Sequence, residues 1–306
     1  MQLTAIVPAT DAPATLDRCV DAIRTAVEPP DEVRVIDDPR VVGPAKARNL
    51  GAEEARGETI VFVDADVEVH PDAFVRIRRA FEADDDLAAI FGSYDDDPSA
   101  HSLVSDFRNL LHHHVHHRAA GPATTFWAGL GAIRRSDFVA LEGFDEERFP
   151  HASIEDIELG MRLAREGKRI LLDPSIQGKH LKRWTLRSMI RTDLGRRGIP
   201  WVRLLLDNRA SSDALNLSLR HRASATASVA LLGGLVARKP SVIGGAASVL
   251  LALNASFYTL LFRKRGLRQV AAGFPLHVLH HLISVSAVPI ALTQHVLAQA
   301  ARNADV

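Results

Sequence analysis

The sequence predicts an α/β domain built on a mostly parallel sheet, followed by an α-helical apolar segment. Three observations predict it. Strand-like apolar runs alternate with helical periodicity through the first 83 residues. From Ala223 onward the chain holds long stretches without charge. The charges are also segregated. Residues 1–160 carry 15 Lys/Arg and 31 Asp/Glu, a balance of −16, whereas residues 161–306 carry 22 and 6, a balance of +16. The net charge of zero is therefore a cancellation between an acidic and a basic part, which points to a division of labour. An apolar content of 47% excludes a disordered chain, and a single cysteine, Cys19, excludes a disulfide-stapled one and fits a reducing compartment. Nothing in this balance calls for a nucleic-acid partner.

Residues 3–7 form an apolar run closed by Pro8, a strand. Residues 14–25 place Leu16, Cys19, Val20 and Ile23 at helical spacing. Residues 33–36 read as a second strand, ended by Asp37-Asp38-Pro39, and residues 45–55 as a helix with Gly57 beyond its end. Residues 59–63 are all β-branched or aromatic and run into Asp64-Ala65-Asp66; residues 71–83 return to helical spacing. In such sheets ligands bind at the carboxyl ends of the strands. Those ends carry Thr10-Asp11, Asp37-Asp38 and Asp64-Ala65-Asp66.

Residues 223–237 and 241–262 are uncharged runs of 15 and 22 residues, and residues 270–301 hold four histidines but no Lys, Arg, Asp or Glu. A membrane-crossing helix needs about 20 apolar residues. Two or three membrane helices are expected, over about 223–237, 241–262 and 270–298. The cluster Arg263, Lys264, Arg265 and Arg268 places its side of the membrane in the cytoplasm by the positive-inside rule, and residues 1–222 with it. The N-terminus has no basic region typical of a signal peptide. Between the parts, residues 186–222 mix Arg187, Arg191, Arg196, Arg197, Arg203 and Arg209 with Trp201 and many leucines. That composition suits an amphipathic segment on an anionic lipid surface.

Two carboxylates flanking a small residue after a buried strand repel unless a cation lies between them. Oxygen donors of this kind select Mg²⁺ or Mn²⁺, which bridges a diphosphate. Asp84-Asp85-Asp86 and Asp95-Asp96-Asp97 lack the strand context and read as solvated loops.

The segments from Ala5 to Thr10, Val35-Ile36-Asp37-Asp38, Ala47-Arg48-Asn49-Leu50-Gly51 and Val61-Phe62-Val63-Asp64-Ala65-Asp66 resemble family 2 glycosyltransferases of the GT-A fold. So do Gly143-Phe144-Asp145-Glu146 and the run from Glu155 to Leu163. The resemblance covers about residues 3–200, and the apolar tail looks like that of membrane-associated bacterial members. It implies a nucleotide-sugar donor, bound in part by Pro8, Thr10, Asp37 and Asp38, with Asp38 favoured over Asp37 for the ribose. Arg48 would approach the base or diphosphate, Asp64 the ribose side and the metal, and Asp66 would ligate Mn²⁺ or Mg²⁺. The loop of residues 39–44 departs from the family's usual polar continuation, so the base is not read from it.

Asp156, with Glu155 beside it, would be the catalytic base of an inverting transfer. A helix N-terminus favours their charged form, and the same residues also suit a plain helix cap. The segment from Phe126 to Gly131, with Trp127 and Gly129, resembles the acceptor and donor-sugar loop; Trp127 stacks on a sugar or fills the core. Arg134-Arg135 serves the diphosphate or the surface. His180-Leu181-Lys182-Arg183-Trp184 resembles the Gln-x-x-Arg-Trp segment of processive polysaccharide synthases, with His180 in place of Gln. His180 would complete the metal site or be a hydrogen-bonded loop residue, and Arg183 and Trp184 would contact the donor. The histidines of residues 112–117 point in different directions on a helix, which favours a segment at the acceptor entrance over a metal tract. His277, His280 and His281 share one helix face and bond between helices or to a lipid phosphate.

The expectation is a chain of three parts: a GT-A domain over 1–185, an interfacial segment over 186–222 and membrane helices over 223–306. It would be an inner-membrane enzyme with a cytoplasmic catalytic domain and a lipid or polyprenyl-phosphate acceptor; whether it forms a homo-oligomer is left open. The alternatives are a processive polysaccharide synthase and a non-catalytic nucleotide-binding membrane scaffold. A nucleotidyltransferase would need a glycine-rich, lysine-bearing loop that residues 10–14 do not offer.

Overall fold

A computed structural model describes residues 1–11, 13–38, 40–208 and 219–304. Pro39 of the loop after the second strand, and Arg209 with the rest of 209–218 in the basic segment, lie outside the described residues. The chain divides into two units. One comprises Met1–His101 and Leu111–Arg183, the other Ser102–Leu110 and Trp184–Val306.

Alternation builds the first unit. It begins β1 (Leu3–Pro8), α1 (Leu16–Arg24), β2 (Glu32–Ile36), α2 (Pro44–Glu53), β3 (Thr59–Val63), β4 (Val67–Val69), α3 (Ala73–Ala83) and β5 (Leu87–Tyr94). It continues through α4 (Leu103–Arg118), whose first turns belong to the other unit, to β6 (Gly121–Ala123), β7 (Leu130–Arg134), α5 (Arg135–Ala140), α6 (Glu155–Arg165) and β8 (Arg169–His180). Side chains alternate across a strand. Leu3, Ala5, Val7, Val61 and Val63 therefore pack on one face of the sheet with Cys19 and Ile23 of α1 and Phe74 and Ile77 of α3. Ile6, Ile60 and Phe62 pack on the other with Ala45 and Ala52 of α2 and Leu159 and Leu163 of α6. Burial on both faces explains why β3 is apolar at every position after Thr59.

The strand order is β2-β1-β3-β7-β5-β8-β4, with β6 on β8. The expectation of a mostly parallel sheet holds for β2-β1-β3, and the full sheet is mixed. β7 runs antiparallel to β3 and β5, β4 and β6 run antiparallel to β8, and β5 and β8 are parallel. The antiparallel pairings made by β4, β6 and β7 involve residues 67–180, beyond the three strands that the sequence shows.

Gly160 fixes how closely α6 approaches the sheet. A Cβ there would lie 2.1 Å from the backbone nitrogen of Phe126 and 2.4 Å from the carbonyl carbon of Thr125. Backbone cannot swing aside as a side chain can. Gly160→Ala is expected to destabilise the protein by about 1–3 kcal/mol or more through overpacking, read as a lowered melting temperature.

The second unit is helical: α7 (Leu186–Arg191), a π-helical turn (Thr192–Gly198), α8 (Ile199–Asn208), α9 (Leu219–Val236), α10 (Pro240–Leu253) and α11 (Ala255–Ala304). The three apolar runs fall on α9 to α11 with shifted boundaries. The run at 241–262 is divided at Asn254, whose side chain bonds the Ser224 hydroxyl and the Leu250 carbonyl. α11 breaks at Gly266, where φ is 74°. Among the described residues one helix, over Ala255–Ala300, is long and apolar enough to cross a membrane; Pro240–Leu253 is apolar but shorter. Two histidines on α11 make side-chain bonds, His280 to the π-helical turn and His277 to Tyr258 on the far side of the Gly266 break. His280 Nδ1 lies 3.1 Å from an Asp193 oxygen, and His277 Nδ1 lies 3.1 Å from the Tyr258 hydroxyl. Asp193 also holds Arg108, which lies over the Trp184 ring.

Candidate active site

The turn after β3 is held by its backbone before any side chain is considered. The Asp64 N–H donates to the Gly129 carbonyl at 3.0 Å. Thr15 Oγ1 donates to the Ala65 carbonyl at 2.8 Å, and the Leu181 N–H to the Asp66 carbonyl at 2.8 Å. The Cys19 thiol points to the Asp64 carbonyl, and burial, then the Asp64 and Asp66 charges, push it up to about 12. It is a packing group rather than a nucleophile.

Arg48, on α2 and 5% exposed, links this turn to α6. Its Nη2 donates to Asp64 at 2.7 Å and its Nη1 to Glu155 at 2.9 Å, and the guanidinium lies 5.4 Å from the centre of the Phe144 ring. Burial alone would weaken its charge; the Asp64, Glu155 and Asp156 charges more than offset that and hold it protonated. Both ends of Arg48 are thus committed within the protein, and it ties a strand end to a helix end. Asp64, turned to Arg48, has its pKa raised by burial, opposed by Arg48 and reinforced by Asp66. Asp66 points the other way, with His180 Nε2 at 3.7 Å and Lys182 Nζ at 4.0 Å. Burial raises its pKa, but the neighbouring His180 imidazole, then the Lys182 charge, outweigh that and hold it below the usual value.

Glu155 and Asp156, neighbours at the start of α6, have different settings. Glu155 is locked, accepting from Arg48 and from the Ser153 N–H at 2.8 Å. Asp156 Oδ2 accepts from the Ala128 N–H at 3.1 Å, and its other oxygen from the Ile157 N–H. Burial and the Glu155 charge push its pKa up to about 7, partly opposed by Arg48. Two adjacent carboxylates in such different settings, one tied to a guanidinium and the other raised toward neutrality, suit one to structure and the other to proton transfer.

The structure therefore brings Arg48, Asp64, Asp66, Glu155, Asp156, Gly129 and His180 together. Trp127 belongs with them. It is half-buried, and a Cβ on Gly129 would lie 2.4 Å from its ring. Pro8 ends β1 opposite Ile36, and the Ala9 N–H bonds the Ile36 carbonyl, so Thr10 and Asp37 follow adjacent strand ends. Asp37 is exposed. Asp38 accepts from the backbone and side chain of Arg40, which lower its pKa to about 2. A ligand reaching Asp38 displaces Arg40 first.

Several open readings resolve. Arg134 is paired with Thr59, at the end of β3 away from Asp64, and its Nε bonds the Leu87 carbonyl; it does not serve a diphosphate at this turn. Asp95 is not a solvated loop residue: it is 7% exposed and bonds His70. Trp184 is buried in the second unit, its N–H donating to Ser105 Oγ at 2.8 Å, while Arg183 closes the first. Among the described residues no three His, Cys, Asp or Glu side chains converge as a metal site, and the tract at 112–117 packs instead. His113 and His116 donate to the Tyr94 and Gly92 carbonyls, both at 2.9 Å.

Two positions were missed in the sequence. Asn49 fastens the 143–146 loop, exchanging bonds with the Phe144 carbonyl and N–H, each at 2.9 Å, and reaching Glu146 at 3.1 Å. Tyr94 stacks on His180. The run Leu87–Tyr94 has the composition of a strand, and its end was the available signal.

Residues 14–140 match Glycosyl transferase family 2. No curated protein matches the sequence. Among solved structures, the mannosyltransferase PcManGT from Pyrobaculum calidifontis, in complex with GDP-Man and Mn²⁺, is similar with a TM-score of 0.55 and 15% identity. The match covers 95% of this chain and 87% of that one. Residues 1–349 of S. aureus TarS match with a TM-score of 0.46 and 13% identity over 94% and 91% of the two chains. The fold likeness rests on the first of these. The matched segment contains the Arg48-tied turn at Asp64-Ala65-Asp66, on a sheet like that of a solved glycosyltransferase; the chain has the GT-A fold, and its residues 14–140 are similar to Glycosyl transferase family 2.

Proposed function

We propose that the chain is a membrane-anchored, inverting glycosyltransferase that uses a divalent metal and moves a sugar from a nucleotide-sugar donor to a lipid-linked acceptor. The observation that carries the catalytic part is the split between Glu155, locked on Arg48, and Asp156, whose pKa of about 7 suits a base working near neutrality.

The donor set fits a metal. Asp66 offers a carboxylate oxygen and His180 an imidazole nitrogen, a mixture that favours Mn²⁺ over Mg²⁺. Such ions are commonly held by one or two protein groups, with substrate phosphates and water completing the shell. The PcManGT complex with GDP-Man and Mn²⁺ supports the same reading. When bound, the metal neutralises charge on the departing nucleoside diphosphate. Lys182 adds positive charge on that side. Asp156 takes the proton of the acceptor hydroxyl. That oxygen forms the new bond to the anomeric carbon as the bond to the diphosphate oxygen breaks, and the bonding pair leaves with the diphosphate. Attack from the opposite face inverts the anomeric centre. Thr10, Asp37 and Asp38 follow the strand ends where a nucleoside would lie, and Trp127 faces the sugar.

The second unit supports the anchoring. α11 is long and apolar enough to span. Large apolar side chains stand exposed along α9 to α11, among them Val236 at 78%, Phe262 at 56% and Leu267 at 72%. A surface of that kind suits lipid rather than water. Arg187, Arg191, Arg196, Arg197 and Arg203 on α7, the π-helical turn and α8 suit an anionic headgroup layer, with the catalytic domain on the cytoplasmic side. Such an attachment would bring the site to the lipid surface, which supports a lipid acceptor.

The test is transfer of label from nucleotide sugars by membranes containing the chain, extracted into organic solvent. Label appearing only in water-soluble products ends the lipid reading, and unchanged transfer by Asp66→Ala ends the metal reading. The acid limb is a second check. The base form of Asp156 increases as pH rises, so kcat is expected to climb between about pH 6 and 8 with a midpoint near 7. A flat profile there contradicts the assignment.

A further inference from the structure

Four rings are layered behind the metal side of the site. Tyr94 ends β5, where it pairs with Gly178 of β8, two residues before His180. The Tyr94 ring lies face to face with the His180 imidazole, centroids 4.2 Å apart and planes 20° from parallel. Trp127 meets Tyr94 edge-on at 4.9 Å, and His112 packs on Tyr94 at 4.4 Å and on Trp127 at 4.7 Å. The main chain beneath is pinned as well, since His113 and His116 of α4 hold the Tyr94 and Gly92 carbonyls.

The geometry has a chemical consequence. The lone pair of an imidazole nitrogen lies in the ring plane, so a histidine binds a metal only when its plane contains the ion. Rotation about the bond to the ring is the soft coordinate, with broad wells. A ring stacked on the imidazole face closes that coordinate and leaves the edge, with Nε2, directed at Asp66. His180 is 3% exposed, so its orientation is set by these neighbours and not by solvent.

We propose that Tyr94, backed by His112, is a positioning residue of the metal site, and that the 112–117 tract buttresses a metal ligand without binding metal itself. This rests on the reading of Asp66 and His180 as metal donors. Neighbours that orient a ligand change metal affinity by about 10–100-fold when lost.

The experiment measures Mn²⁺ alone binding to the purified full chain, from the loss of the free-ion signal in electron paramagnetic resonance. Tyr94→Leu is expected to weaken binding about tenfold, and Tyr94→Phe, which keeps the stacked ring, to remain near the parent protein. His112 is half-buried, so His112→Ala serves if Tyr94→Leu does not fold; it is expected to weaken binding several-fold, and His112→Phe to restore it. Asp66→Ala is the control. If it abolishes Mn²⁺ binding while folded Tyr94→Leu and His112→Ala bind as the parent does, the positioning role is overturned and the metal site stands. If Asp66→Ala binds as tightly as the parent, the metal reading itself fails and the positioning role falls with it.

Discussion

Asp156→Asn is expected to lower kcat by about 10²–10⁴-fold with little change in KM for the donor, the range lost when a general base is removed. The substitution is nearly isosteric. The asparagine carbonyl still accepts from the Ala128 N–H, so the loop carrying Trp127 and Gly129 keeps its anchor. What disappears is the proton acceptor, at a position where burial and Glu155 tune the carboxyl to about 7. Glu155→Gln is the informative comparison. It weakens the bond to Arg48 but removes no proton acceptor from the reaction, so its larger effect falls on stability. Single-turnover rates separate the two. A Glu155→Gln enzyme that loses more rate than Asp156→Asn would exchange their roles.

The second large effect is on folding. Arg48→Ala is expected to destabilise the protein by about 3–5 kcal/mol, because it leaves Glu155 buried and Asp64 partly buried with no counter-charge. For a domain of this size that lowers the melting temperature by roughly 6–20 °C. Most of this cost is carboxylate desolvation, so it is partly recoverable. Arg48→Met combined with Glu155→Leu removes charges from both sides of one link, and is expected to be more stable than Arg48→Met alone. Calorimetry of the three variants checks this. Equal melting temperatures for Arg48→Ala and the parent would show that the Asp64–Arg48–Glu155 chain carries no weight in the fold.

This chain also explains what the sequence could reveal. β1 and β3 were legible because burial on both faces leaves them almost wholly apolar, β2 from Val33, Val35 and Ile36, and the strand ends announced the acidic turn. α6 was legible from its apolar spacing and acidic start. Arg48 was visible as a residue, but its commitment to two carboxylates, one of them 107 positions away, is a product of topology. Asp64 and Asp66 look equivalent in sequence, and only the fold turns one to Arg48 and the other to His180. The antiparallel strands were not legible: β4 and β6 have three residues each, too few to show a period. Tyr94 ends a strand that packs against β7 and β8, and nothing local marks it as the partner of His180. The apolar tail announced its helices by composition but not their breaks, since Asn254 and Gly266 interrupt them through a side-chain bond and a positive φ.

The most direct test is the anomeric configuration of the transferred sugar, read by nuclear magnetic resonance on product made by the full chain from an α-linked nucleotide sugar. Attack by an acceptor oxygen deprotonated by Asp156 predicts a β-linked product that is absent with Asp156→Asn. An α-linked product, or β-linked product formed at an undiminished rate by Asp156→Asn, would contradict it.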